Sequence, residues 1–194
     1  MDRKGITHDF VISAAADLAD SEGFESISVS ALARRVGVQP ASLYSHVRDR
    51  AAVLNGVHQV ALAELADRIA TETSGRSGRD ALGGFADAHR GYALEHPGRW
   101  AALQRPAAAS TVSSDAAGRL VSFTSAVLRA YALDEAELVH ATRFVGAAIN
   151  GYLALERWGS FGHSEVSIVE SWTRSIDALD RSLRSWPEAS KETS

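Results

Sequence analysis

The chain has 194 residues, 45% of them hydrophobic and 23% charged, with a formal net charge of -4 and no cysteine. That length is enough to bury a full core and suits one small module plus one larger one. The absence of thiols excludes disulfides, thiolate catalysis and cysteine zinc sites. The longest uncharged apolar run, Phe144 to Leu155, falls short of the ~20 residues that a bilayer-spanning helix needs. No apolar leader precedes the first helical pattern, so a cytoplasmic protein without a membrane partner is expected.

In chain order, the first predicted helix runs from Ile6 to Glu22, with Ile6, Phe10, Ala14 and Leu18 four apart and Val11 beside them, closed by Gly23 and Phe24. Ser28 is a good N-cap for a second helix whose apolar face is Val29, Leu32, Ala33 and Val36. Gly37 takes the left-handed conformation that ends a helix at little cost. Pro40 suits a first helical position, and the short helix it opens, to about His46, carries only Leu43 and Val47 inward. Its outer face is Gln39, Ala41, Ser42, Tyr44, Ser45 and His46, mostly short and hydrogen-bonding. A long helix follows from Arg50 to about Thr73, then a linker at 74–78. Further helices are predicted at 79–95, around Trp100 and Leu103, at 114–131, at 134–159 and at 164–185, with a loop over 105–117. Asp134 with Glu137 makes a capping-box-like start. No alternating strand pattern occurs. The fold class is all-α, with about nine helices.

Two short helices around a Gly-Val turn, the second with a polar outer face, form a helix-turn-helix DNA reader. These residues, together with Ala14 to Val29 before them and Ser42 to Leu54 after them, resemble the TetR family of transcriptional repressors. The resemblance covers about the first third of the chain in detail. It implies that Tyr44 and His46 touch phosphate oxygens, and that Arg50, where the family usually has Lys, clamps a phosphate with the help of helix-start amides. Gln39, Ala41, Ser42 and Ser45 are the base-edge candidates: Gln39 suits adenine and Ala41 a thymine methyl. Pro40 presets the start of that helix, and Ser28 and Ser30 each reach toward a phosphate, although Ser28 reads equally as a cap alone. Arg3 and Lys4 suit a flexible arm for a minor groove.

Charge is distributed to match. From Ser26 to Arg50 four arginines face one acid, Asp49, whereas Asp2, Asp9, Asp17, Asp20, Glu22 and Glu25 make the start of the chain acidic. Few neutralised phosphates predict a modest salt dependence.

The domains expected are a DNA-binding module over residues 1–50, a connecting helix over 50–73, a ligand-binding and dimerisation domain over 75–187 and a disordered tail over 188–194. The last two helices carry a seam suited to bundle packing, formed by Val169, Trp172, Ile176, Leu179 and Leu183 with Val145, Ile149, Tyr152 and Leu153. By pattern alone this seam reads equally as intramolecular core. The family resemblance implies a homodimer built from it, and two-fold symmetry then implies a palindromic operator in double-stranded DNA. A small apolar ligand is expected among Phe85, His89, Tyr92, Trp100, Leu103, Phe123, Val127, Phe144, Ala148 and Asn150, positions that also read as ordinary helix core. The stretch Phe144 to Gly162 resembles a C-terminal subgroup with a Trp-x3-His-Gly pattern, of which only Gly151 survives; Gly146 and Asn150 stand at the Trp and His positions.

No metalloprotease, phosphate-loop, dinucleotide or nucleophile-elbow motif occurs, the histidines are scattered, and no cofactor or metal is implied. An enzyme is not expected. The reading is a ligand-responsive, sequence-specific transcriptional repressor. The alternative is a helical small-molecule-binding or protein-interaction module that does not read DNA.

Overall fold

A computed structural model describes residues 6–186 and contains ten α-helices and two 3-10 turns, with no strand among the described residues. The helices are α1 (His8–Glu22), α2 (Val29–Val36), α3 (Pro40–Leu43), α4 (Arg50–Thr73), α5 (Gly78–Glu95), α6 (Pro97–Leu103), α7 (Ala109–Val112), α8 (Asp115–Leu128), α9 (Glu135–Arg157) and α10 (Ile168–Arg184). The 3-10 turns are Phe24–Ser26 and Arg129–Tyr131. Arg3 and Lys4 and the tail over 188–194 lie outside the described residues.

The chain falls into two units that interleave along the sequence. One holds the residues up to Asp67 together with Gly91–Leu120; the other holds Arg68–Arg90 and the residues from Val121 onward. In the first unit, α1 buries Val11, Ile12, Ala15, Ala16 and Ala19 against Leu32 and Ala33 of α2, Leu43 of α3 and Val53 and Val57 of α4. Thr7 caps α1 by accepting the Phe10 N–H, and Ser28 caps α2 by accepting the Ala31 N–H. α6 approaches α1 so closely that Gly98 has no room for a side chain: a Cβ there would lie 2.0 Å from the Ala19 carbonyl. Asp20 fastens the same contact. One carboxylate oxygen accepts the Gly98 and Arg99 backbone N–H groups at 2.9 Å each, and His96 Nδ1 lies 3.2 Å from the other. The Arg99 side chain, only 11% exposed, bonds Asp17 at 2.5 Å and lies 3.3 Å from Asp20 and 3.5 Å from Glu64.

The second unit rests on polar ties beneath an apolar seam. Arg90 makes a two-pronged pair with Glu156 (2.9 and 2.6 Å) and stacks on the Trp172 ring, while the Trp172 indole N–H donates to Asp87 at 2.7 Å. Arg79 donates twice to Asp177, and Asp180 accepts from both the Tyr131 hydroxyl and Arg184. Asp134 accepts the Glu137 N–H at 2.8 Å as the spacing predicts. Glu137 does not reciprocate, because its carboxylate takes the Trp186 indole N–H at 2.6 Å.

Several boundaries differ from the sequence reading. The reader helix stops at Leu43 rather than His46, and residues 44–46 form turns. Within the loop expected over 105–117 the four-residue α7 forms, tied to α4 where the Thr111 hydroxyl donates to Asn55 at 2.7 Å. The last helix begins at Ile168 because Ser167 caps it, while Ser164 accepts the Val166 N–H in the preceding turn. Each of these local bonds competes with helix propagation, which periodicity alone does not register.

Candidate nucleic-acid interface

The reader is assembled by three local devices. Ser28 starts α2. Gly37, at φ 75 and ψ 33, ends it in the left-handed region, and the Val38 N–H returns to the Ala33 carbonyl at 3.0 Å. Pro40 then opens α3, its missing N–H costing nothing at a first helical position. Leu43 and Val47 are buried at 0% and 4% exposure and hold the short helix to the core. A buried leucine contributes about 1.5–3 kcal/mol, which anchors a helix too short to be stable alone.

That anchoring leaves the opposite side bare. Ser30, Gln39, Pro40, Ala41, Ser42, Tyr44 and Ser45 are exposed and His46 is half-buried. The side chains of Ser30, Gln39, Ser42, Tyr44 and His46 make no hydrogen bond among the described residues, so their polar atoms remain available to a ligand. Tyr44 is the most informative of them: the residue is 58% exposed, with its hydroxyl unpaired among the described residues. Ser45 is partly committed, since its hydroxyl donates to the Ser42 carbonyl at 2.7 Å. Ser28 is used as the α2 cap.

Arg50 is engaged differently from the expectation of a phosphate clamp. Its guanidinium turns back to donate to the Ile27 carbonyl at 2.6 Å and the Glu25 carbonyl at 3.4 Å. The first turn of α4 is already capped by Asp49, whose carboxylate accepts the Ala52 N–H at 2.8 Å. That bond and the neighbouring Arg48 hold the Asp49 carboxyl below its ordinary range. An anion would meet a carboxylate there, so Arg50 reads as the brace between α4 and the start of α2. Sequence spacing places a cation at that position but does not reveal two carbonyls within its reach.

The ligand candidates are not brought together in one unit. Tyr92, Trp100 and Leu103 belong to the first unit, and Phe85, His89, Phe123, Val127, Phe144, Ala148 and Asn150 to the second. Tyr92 is committed to Glu64, to which its hydroxyl donates at 2.7 Å; burial and that carboxylate push its ionisation far above the ordinary range. Asn150 donates to the Gly146 carbonyl one turn back. His89 is buried, packs its ring at a tilt against Phe85 with the centroids 4.5 Å apart, and bonds the Phe85 carbonyl through Nδ1. Burial pushes its imidazole below the ordinary value, so it is neutral at pH 7.

The expected dimer seam is largely buried within one chain. Val145, Ile149, Leu153, Trp172, Ile176, Leu179 and Leu183 are each at most 7% exposed within a single chain, so they are core of the second unit. Tyr152 is half-buried and Val169 is 60% exposed. The apolar surface that α9 and α10 leave in solvent is different: Val139, Phe144 and Leu155 with Val169, flanked by Trp158. Between the two helices runs a groove of about 240 Å³, and five of the expected seam residues, Ile149, Tyr152, Trp172, Ile176 and Leu179, line it together with Phe144, Ala148, Ser175, Ala178 and Ser182.

Residues 11–57 match the family described as bacterial regulatory proteins, tetR family, and residues 82–179 match one described as tetracyclin repressor-like, C-terminal domain. An uncharacterized HTH-type transcriptional regulator of Bacillus subtilis, YobS, is 31% identical over 176 residues, which cover 90% of this chain and 91% of that one. An uncharacterized HTH-type transcriptional regulator of Mycobacterium tuberculosis is 30% identical over 79% of this chain and 72% of its own. In fold, the chain resembles a Rhodococcus protein of unknown function (TM-score 0.75, 22% identity, covering 93% of this chain and 96% of that one). It likewise resembles TetR of Acinetobacter baumannii (TM-score 0.68, 22% identity, covering 95% and 100%).

Proposed function

The chain belongs to the TetR family of bacterial transcriptional regulators, and on that premise we propose that it is a ligand-responsive repressor acting in the cytoplasm as a homodimer on a palindromic operator. DNA-binding regulation, a non-enzymatic activity, follows from the family and sets aside the reading of a helical module that does not read DNA. Repression, the ligand, the dimer and the compartment are the proposal. The observation that carries it is the reader helix, pinned through Leu43 and Val47 while it exposes a row of unpartnered polar side chains. Gln39, Ala41 and Ser42 read base edges; Tyr44, His46 and Ser30 position the module on phosphates. Residues 1–50 act as the reading module and 75–187 as the ligand and dimer domain.

The homodimer packs α9 and α10 of each protomer against their symmetry mates. Support comes from the exposed Val139, Leu155 and Val169 and from the small residues along the α9–α10 groove, which permit close backbone approach. A small apolar ligand lies against Phe85, His89, Phe123 and Val127, with neutral His89 as its polar anchor. Two readers then meet half-sites roughly 34–36 Å apart. Among the described residues no helix is long and apolar enough to cross a membrane.

The test is a mobility shift and footprint on the DNA flanking the chain's own gene, with Tyr44→Ala as the control. A palindromic footprint that disappears with Tyr44→Ala bears out the reader. If selection from randomised DNA also yields no motif, the proposal fails.

A further inference from the structure

We propose a second small-molecule site, within the first unit and apart from Phe85, His89, Phe123 and Val127, that takes a compact, uncharged apolar molecule bearing one hydroxyl. A cavity of about 310 Å³ opens between the first half of α4, the 3-10 turn after α1 and the segment following α6. That volume is at the lower end of small-molecule pockets. Phe24, Leu54, Pro106 and Ala108 make most of the wall apolar.

The polar groups of the lining define the ligand. His58, on α4, is 8% exposed and its ring nitrogens have no hydrogen-bond partner among the described residues. Burial pushes its imidazole below the ordinary value, so at pH 7 it is neutral and offers one N–H donor and one acceptor. Both ring nitrogens keep some contact with solvent, so a hydroxyl in the cavity can reach and bond either one. Asn55 also lines the cavity, but its amide is occupied by Thr111 and Ser110. Glu25 and Arg105 line the cavity as an ion pair with each other, so neither sign of ligand charge gains a free counterion. A charged ligand therefore loses hydration without recompense, and an uncharged one does not.

The probe is p-cresol, with p-xylene as the same shape lacking the hydroxyl. The readout is the His58 imidazole Cε1–H resonance, assigned by its disappearance in His58→Phe. The expected result is a saturable shift with millimolar p-cresol, and binding of p-xylene weaker by about fivefold, the worth of one neutral hydrogen bond. Leu54→Trp, which fills the cavity from its wall, abolishes the shift. Ala51→Leu, at an exposed lining position, does the same without touching the core. No saturable shift at millimolar p-cresol, equal binding of the two probes, or unchanged binding in both filled variants overturns the site.

Discussion

Replacing Gly98 with alanine tests the packing that holds α6 to α1. On the observed backbone the new Cβ lies 2.0 Å from the Ala19 carbonyl carbon and oxygen and 2.5 Å from the Asp20 amide nitrogen. Contacts between non-bonded heavy atoms are favourable near ~3.5 Å, so the helices must part by more than about 1 Å. The obstacle is backbone, which no rotamer change relieves. Overpacking of this kind costs about 1–3 kcal/mol. Parting the helices also stretches the bonds from the Gly98 and Arg99 N–H groups to Asp20, and hydrogen bonds to a charged group are worth about 1.5–3 kcal/mol each. Against this, alanine gains about 0.5–1 kcal/mol over glycine in a helix. The net expectation is a loss of about 3 kcal/mol, or roughly 6–12 °C in Tm for a chain of this size. Urea and thermal unfolding at one fixed protein concentration read it directly. Gly118→Ala in α8 is the matched control: nothing lies within 4 Å of its added Cβ, so stability should hold or rise slightly. A loss below about 1 kcal/mol for Gly98→Ala, or equal losses for both variants, refutes the close-approach reasoning.

Three further outcomes are expected. Glu156→Ala strands the Arg90 guanidinium, whose side chain is 18% exposed, and should destabilise by about 3 kcal/mol in urea unfolding, whereas an exposed pair such as Arg174 with Glu170 should cost under about 1 kcal/mol. His58 and His89 both sit below the usual imidazole value because burial disfavours their charged forms. The unfolded chain therefore binds the extra protons, so their contribution is complete above about pH 6.5 and is lost as pH falls toward the folded values. Each contributes a slope of at most about 1.4 kcal/mol per pH unit, and His58→Phe with His89→Phe should flatten stability between pH 6.5 and 5, read by unfolding at each pH. Ala178→Arg in the α9–α10 groove should convert the proposed dimer to monomers in light scattering while leaving helicity unchanged; a dimer that persists would move the interface elsewhere.

Local chemistry was legible in the sequence wherever one residue type has one cheap use. Ser28, Gly37, Pro40 and Asp134 mark helix boundaries because a cap, a positive φ or a missing N–H restricts what stands there, and the structure places each as expected. The apolar period likewise marked Leu32, Ala33, Leu43 and Val47 as core. Periodicity shows that a face is buried without showing what covers it. The Trp172, Ile176, Leu179 and Leu183 stripe looks the same whether it meets its own chain or a second copy, and only packing assigned it to the second unit's core. Arg50 looks like a free cation until the Ile27 and Glu25 carbonyls come within its reach, 23 and 25 positions away. Gly98 carries no mark of its own in the sequence; the tertiary approach of α6 to Ala19 makes it indispensable, because contacts between distant segments depend on three-dimensional distance rather than residue type.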